Sequence, residues 1–201
     1  LLVRGGPAGR EDIAHYTMKL ATGSDSSIYM TGRFGFARSE DGGRTRNSLG
    51  IPRRHCHGLA ISPHDPRIIF VGTSTAQDPT ESDELPGGRI LRSLDRGLSW
   101  DEVGSGFPAG ADTSVHDFAF DAQDQARVYV CTASHEFGLP PTATALGVFT
   151  SADGGETWVE ANGGLTTTEV EALATSPEMS GVVYAGTEDG LFRSDDAGSR
   201  W

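Results

Sequence analysis

Lysine is almost missing from this chain. Of its 16 basic residues 15 are arginine, and Lys19 stands alone. Cysteine is nearly as scarce: Cys56 and Cys131 are the only two, which excludes a disulfide framework and leaves the redox compartment open. Aromatic residues make up 8% of the chain, against 27 glycines in 201 residues, a balance that favours many tight turns over long helices. No stretch approaches the ~18 apolar residues that would cross a bilayer, so no membrane span is expected. Positive charge is also in deficit. With 28 acidic residues the formal charge is −12, and a surface of that sign repels phosphate backbones, so no nucleic-acid partner is expected. The chain opens at Leu1 without a basic-then-apolar leader and stops at Trp201 inside a recurring motif, so it reads as a fragment of a larger protein.

What the chain has in abundance is repetition. SEDGGRTR at 39–46, SLDRGLSW at 93–100, SADGGETW at 151–158 and SDDAGSRW at 194–201 are variants of Ser-x-Asp-x-Gly-x-Ser/Thr-Trp. Arg46 replaces the tryptophan of the first copy, and Arg200 is inserted before Trp201 in the last. The motif reads as a hairpin turn in which aspartate binds local backbone N–H groups, glycine takes positive φ, and tryptophan anchors the strand that follows. Upstream, HGLAISPHDPRIIFVGTS (57–74), HDFAFDAQDQARVYVCTA (116–133) and EALATSPEMSGVVYAGTE (171–188) align without gaps as strand, polar turn and β-branched strand. YTMKLATGSDSSIYMTGR (16–33) fits the same frame more weakly. A third marker, LGIP at 49–52, SGFP at 105–108 and GGLT at 163–166, opens each following unit.

Four antiparallel strands per period, A to D, with no helical pattern between them, predict an all-β chain: a β-propeller fragment of about three and a half four-stranded blades. One propeller domain is expected over 1–201, with blades at 13–48, 51–104, 107–162 and 165–201, the last lacking strand D. The Ser-x-Asp turn joins C to D, so B–C loops and interblade linkers share the opposite face. From the strand B aromatic to the motif serine the spacing is 10 residues for Tyr29–Ser39 and Tyr184–Ser194. It is 23 for Phe70–Ser93 and 22 for Tyr129–Ser151. The two middle blades therefore carry B–C insertions of 13 and 12 residues, at roughly 73–88 and 132–146. Long loops on a rigid scaffold are where binding concentrates.

The Ser-x-Asp-x-Gly-x-Thr-Trp motif resembles the Asp box of BNR-repeat propellers, which include sialidases, xyloglucanase-type glycoside hydrolases, sortilin-type receptors and photosystem II assembly factors. The resemblance spans nearly the whole chain and implies a protein- or carbohydrate-binding propeller, with a glycoside hydrolase as the alternative. It also tilts localisation toward a secreted or cell-envelope protein. In those families the Asp box lies away from the ligand, which argues against Asp95, Asp153 or Asp196 as catalytic acids. A sialidase carries an Arg-Ile-Pro element and an arginine triad; here Ile51-Pro52-Arg53-Arg54 runs in the reverse order on an interblade linker. No catalytic residue is carried across.

Candidate site residues come from the frame itself. Tyr16, His57, His116 and Glu171 fall in one column at the start of strand A, the innermost strand, at the loop-bearing end. A ring of polar and titratable groups around the channel mouth would contact a ligand, although strand ends are also commonly just wet. Arg53 and Arg54 are candidates for gripping a carboxylate, against the ordinary reading of solvated arginines. Asp78, Glu81, Asp83 and Glu84 in the first insertion could flank a sugar or hold calcium, but a solvated acidic loop explains them as well. The second insertion offers Phe137 as a contact, beside His135-Glu136 and the stiffening Pro140-Pro141. His55-Cys56-His57 lacks a third ligand at a suitable spacing, so no metal is expected, and nothing calls for a cofactor.

Overall fold

The computed structural model describes residues 17–23, 25–32, 35–51, 56–74, 88–108, 113–134 and 144–201. Fifteen strands and no helix occupy these residues. The first sheet is β1 (Thr17–Thr22), β2 (Ile28–Gly32), β3 (Gly35–Ser39) and β4 (Asn47–Ser48), paired in chain order. The second is β5 (Cys56–Ile61), β6 (Ile69–Thr73), β7 (Ile90–Ser93) and β8 (Asp101–Glu102). The third is β9 (Ser114–Phe120), β10 (Val128–Ala133), β11 (Val148–Ser151) and β12 (Val159–Glu160). The fourth has three strands, β13 (Val170–Thr175), β14 (Val183–Thr187) and β15 (Gly190–Ser194). Every pairing is antiparallel, and the first strand of each sheet packs on the first strand of the next: β1 on β5, β5 on β9, β9 on β13. These are meandering blades around a common axis, a β-propeller.

The core lies between blades. Tyr29, Phe36, Ile51, Leu59, Ile69 and Val71 fill the first interface. Phe70, Phe107, Val115, Phe118, Phe149 and Trp158 fill the second, and Tyr129, Cys131, Val148, Val170 and Leu173 the third. Strand B is buried along its whole length in the two middle blades, which is why 69–73 and 128–133 read as unbroken β-branched and aromatic runs.

The repeated turn is built as its sequence implies. In the third blade Ser151 Oγ donates to Asp153 Oδ1 at 2.8 Å and accepts the Gly155 N–H at 2.8 Å. Asp153 Oδ1 accepts the Thr157 N–H at 2.9 Å, and Oδ2 the Thr157 hydroxyl at 2.6 Å. The same bonds recur around Asp41 and Asp95. In the last copy Arg200 supplies the N–H, and the Ser199 hydroxyl turns to the Asp196 carbonyl instead. Two successive residues take left-handed φ in each turn, and Arg96 (64°) and Ala197 (60°) do so without being glycine. The second position is always glycine, and in the two middle blades there is a further reason: a Cβ would stand 2.5 Å from an aromatic ring of the preceding blade, Phe36 for Gly97 and Phe70 for Gly155.

The tryptophans work between blades rather than within the next strand. Trp100 meets Phe36 edge-on at 4.9 Å, and Trp158 meets Phe70 at 6.2 Å and 90°. The third marker receives them: Ser105 O accepts the Trp158 N–H and Gly163 O the Trp201 N–H, each at 2.8 Å. At the same end, the A–B turns are strapped together. His64 Nε2 donates to Asp121 O at 2.9 Å, and Asp121 Oδ2 accepts the Gly181 N–H of the next blade at 2.7 Å.

Candidate functional site

The loops that distinguish the blades leave from the other end of the sheets, and in the second, third and fourth blades a threonine closes the stem. Thr73 Oγ1 accepts the N–H of Arg89 at 3.0 Å, across 16 residues. Thr132 Oγ1 accepts that of Leu146 at 2.7 Å, across 14. Thr187 does the same for Asp189 at 3.2 Å, across two. Ser134, just beyond one stem, donates its N–H to Glu169 Oε2 at 2.8 Å, tying the third blade to the linker entering the fourth. The insertions themselves, including Asp78, Glu81, Asp83, Glu84, His135, Glu136 and Phe137, lie outside the described residues, as do Arg53 and Arg54.

The inner strands begin at these stems. Register pairs Cys56 with Thr73, Val115 with Thr132 and Val170 with Thr187. At this level every inner strand contains a bulge, one residue more than its partner. The extra residue is Met18 in β1, falls at His57–Gly58 in β5, and is His116 in β9 and Glu171 in β13. A bulge removes a residue from the ladder and re-aims its side chain. In the second, third and fourth blades the sequence column therefore coincides with this backbone device, which recurs in all four.

In three blades that device brings the column residues into contact. The rings of His57 and His116 stack at 5.2 Å and 25°, and His116 Nδ1 lies 2.9 Å from Glu171 Oε2. In this contact Nδ1 is the donor and the Glu171 carboxylate the acceptor, which orients the His116 ring. His57 is buried, at 5% exposure, while the side chains of His116 and Glu171 are 15% and 48% exposed. The triplet runs outward across three blades from a covered imidazole to an open carboxylate.

The first blade departs from the expected column. Ala60 pairs with Phe70, Ala119 with Tyr129 and Ala174 with Tyr184, ten residues apart; Ala21 pairs with Tyr29 across only eight. The first hairpin is two residues shorter, closed by a tight turn in which Gly23 donates its N–H to Ser27 O at 2.8 Å. Counting back from the alanine, the residue level with His57, His116 and Glu171 is Met18. Tyr16 lies outside the described residues.

One position further along, the same register aligns Lys19, Gly58, Asp117 and Ala172. Lys19 Nζ reaches Asp117 Oδ1 at 3.1 Å, and Asp117 Oδ2 accepts the N–H of Leu173 at 3.1 Å. Sequence reasoning missed this pair, although the solitary lysine was its signal. Burial, and then the Asp117 carboxylate, push the thiol of Cys131 well up, so that cysteine is no nucleophile. The aspartates of the repeated turns are equally unfit as general acids. Hydrogen bonds from Thr45, Ser99 and Thr157 hold Asp41, Asp95 and Asp153 down at about 2. Among the described residues no group of three or more His, Cys, Asp or Glu side chains has the placement of a metal site. An open depression of about 420 Å³ lies away from the triplet, beside Gly106, Leu146, Phe149, Glu160 and Asn162.

No family model and no curated protein matches the sequence. Solved structures do. A GH74 xyloglucanase from Xanthomonas campestris superposes with a TM-score of 0.70 at 19% identity, covering 96% of this chain and 30% of that one. An ancestral GH74 enzyme gives 0.65 at 20%, over 84% and 21%, and YCF48 from Cyanidioschyzon merolae 0.53 at 14%, over 77% and 38%. This chain thus spans about a fifth to two-fifths of their lengths, and at such identities the likeness is one of fold.

Proposed function

We propose that this chain is a ligand-binding propeller scaffold of the Asp-box (BNR-repeat) type. Its site is the channel mouth at the loop-bearing end, and its ligand is a carbohydrate or a protein. The observation that supports this reading is the contact of His57, His116 and Glu171 from three successive blades. They meet where long loops leave the scaffold and where a bulge turns one residue per blade out of the ladder. Buried imidazole stacking and an oriented His–Glu pair are more than the wetting of strand ends requires. Binding, rather than turnover, suits a triplet with a single carboxylate.

A glycoside hydrolase remains the second reading, favoured by the fold likeness to GH74 enzymes. It requires two carboxylates about 5–9.5 Å apart across a sugar. Glu171 would be one; the acidic residues at 78–84 that would provide the other are known here from sequence alone. The test is a His57→Ala/His116→Ala double variant assayed on a glycan array and in protein pull-down, with folding checked by thermal unfolding. Binding that disappears in the folded variant supports the site, and binding unchanged on both assays refutes it. Turnover of aryl-glycosides by the wild type, lost in Glu171→Gln, would move the reading to the hydrolase.

A further inference from the structure

Asn162 lies just past β12, and its side chain acts as a further pairing residue of that strand. Oδ1 accepts the Val148 N–H at 2.8 Å, while Nδ2 donates to Leu146 O at 2.9 Å and to Glu160 Oε1 at 3.0 Å. Gly147 makes room for the carboxamide: its φ is 81°, and a Cβ there would stand 2.1 Å from Asn162 Oδ1. From the other side Thr132 Oγ1 accepts the Leu146 N–H at 2.7 Å, and the Thr132 N–H donates to Gly147 O at 3.0 Å. Residues 146–148, on which the second long loop returns, are thus clasped between Thr132 and Asn162. In the second blade register places Gly104 where Asn162 stands, so that blade has no such side chain.

The next residue is glycine for a separate reason. A Cβ on Gly163 would stand 2.7 Å from Ser199 O, and Gly163 O accepts the Trp201 N–H at 2.8 Å, so the turn of the fourth blade docks on it. A clasp and a close approach, two independent packing needs, therefore set an asparagine directly before a glycine. Asn162–Gly163 is the only such pair in the sequence. This dipeptide carries a chemistry of its own, because a glycine nitrogen has no side chain beside it to hinder attack on the asparagine carboxamide. Gly163 is exposed, and among the described residues its N–H has no hydrogen-bond acceptor.

We propose that Asn162–Gly163 is a site of spontaneous deamidation which the clasp shields, and that its conversion releases the returning stem of the second long loop. The Gly163 nitrogen gives up its proton and bonds to Asn162 Cγ; the Cγ–Nδ2 bond breaks, and ammonia carries the proton away. Water then opens the cyclic imide at either carbonyl, leaving aspartate or isoaspartate, with no oxidant or reductant required. The clasp opposes the first step, since the carboxamide must leave Val148, Leu146 and Glu160 to turn onto the Gly163 nitrogen. The product cannot rebuild it. A carboxylate has no donor for Leu146 O, and it stands beside the like charge of Glu160. Isoaspartate also lengthens the backbone where Gly163 closely approaches Ser199 O.

The experiment follows the 201-residue chain at mildly alkaline pH by peptide mapping, reading the acid that replaces the amide at residue 162. In urea, where the clasp is gone, deamidation should run roughly tenfold or more faster than in the folded chain, a factor set by the free energy of opening the stem. Glu160→Ala changes an exposed residue, removes one of the three partners and should raise the folded rate about twofold or more. Asn162→Asp introduces the product directly. Amide exchange of residues 146–148 should then quicken about tenfold or more, with that of β5 unchanged. The same exchange on wild-type chain aged to partial conversion gives a second reading that does not depend on how the variant folds. Equal rates in urea and in the folded chain, or a folded rate unmoved by Glu160→Ala, overturn the shielding. Absence of deamidation at residue 162 even in urea overturns the site. Unchanged exchange of residues 146–148 in the converted chain overturns the release of the stem.

Discussion

At the turn end of the blades the serine hydroxyl bonds aspartate and glycine in the same way four times, around Asp41, Asp95, Asp153 and Asp196; at the mouth end a threonine bond recurs in three blades and only the backbone bulge in all four. There a bulge recurs in every inner strand, but the residues it carries are Met18, His57, His116 and Glu171, and the loops beside them differ in length. Invariance of side chain and backbone together marks what the fold needs in each unit. Invariance of backbone with varied side chains marks a frame into which different chemistry has been set.

The contrast can be broken most severely at Trp158, which is 2% exposed and packed on Phe70 of the preceding blade. Trp158→Ala should cost about 3–5 kcal/mol, read from denaturant unfolding, and an unchanged midpoint would show that the interblade core does not depend on it. Ser151→Ala should follow at about 1–3 kcal/mol, because the buried Gly155 N–H loses its acceptor. Acid should sharpen the contrast from the same end. Asp41, Asp95 and Asp153 sit at about 2 when folded, below the ~3.9 of a free aspartate. Their contribution is complete above pH ~4 and drains away as pH falls towards 2, since the unfolded chain then binds the extra protons. Thermal unfolding at pH 5, 4, 3 and 2 should show a fall confined to that window, and a flat profile across it would contradict the assignment. The smallest effect belongs to the mouth. Glu171→Gln removes a half-exposed partner of His116 and should alter stability by no more than ~1 kcal/mol, while weakening ligand binding. A large stability loss there would place the mouth among the structural features.

Much of this was legible in the chain, for identifiable reasons. The turn is local, its bonds closing within four residues, so its chemistry is written in eight consecutive letters. The aromatic at Tyr29, Phe70, Tyr129 and Tyr184 marks strand B in every unit. What escaped was the length of the first hairpin. Side chains alternate with period two along a strand, so a slip of two residues leaves the inward and outward pattern intact, and the gap-free frame passes over Met18 as the bulged residue. The Lys19–Asp117 pair escaped for another reason: it joins residues 98 positions apart in sequence, and only the packing of three blades makes them neighbours. The bulges too were invisible, because they exist only in the pairing of one strand with another.

The threonine stems carry a consequence for how such a molecule can change. Thr73, Thr132 and Thr187 each fasten the returning strand before the variable stretch exerts any pull on the ladder, whether 16, 14 or two residues separate the fastened atoms. Once the ends are pinned, doubling the length between them adds only about 0.6 kcal/mol of closure entropy. Each stem behaves as a socket, accepting whatever segment is plugged into it. Segments can be exchanged one blade at a time, and a propeller of this kind can vary its loop-bearing face while the rest of its sequence stands still.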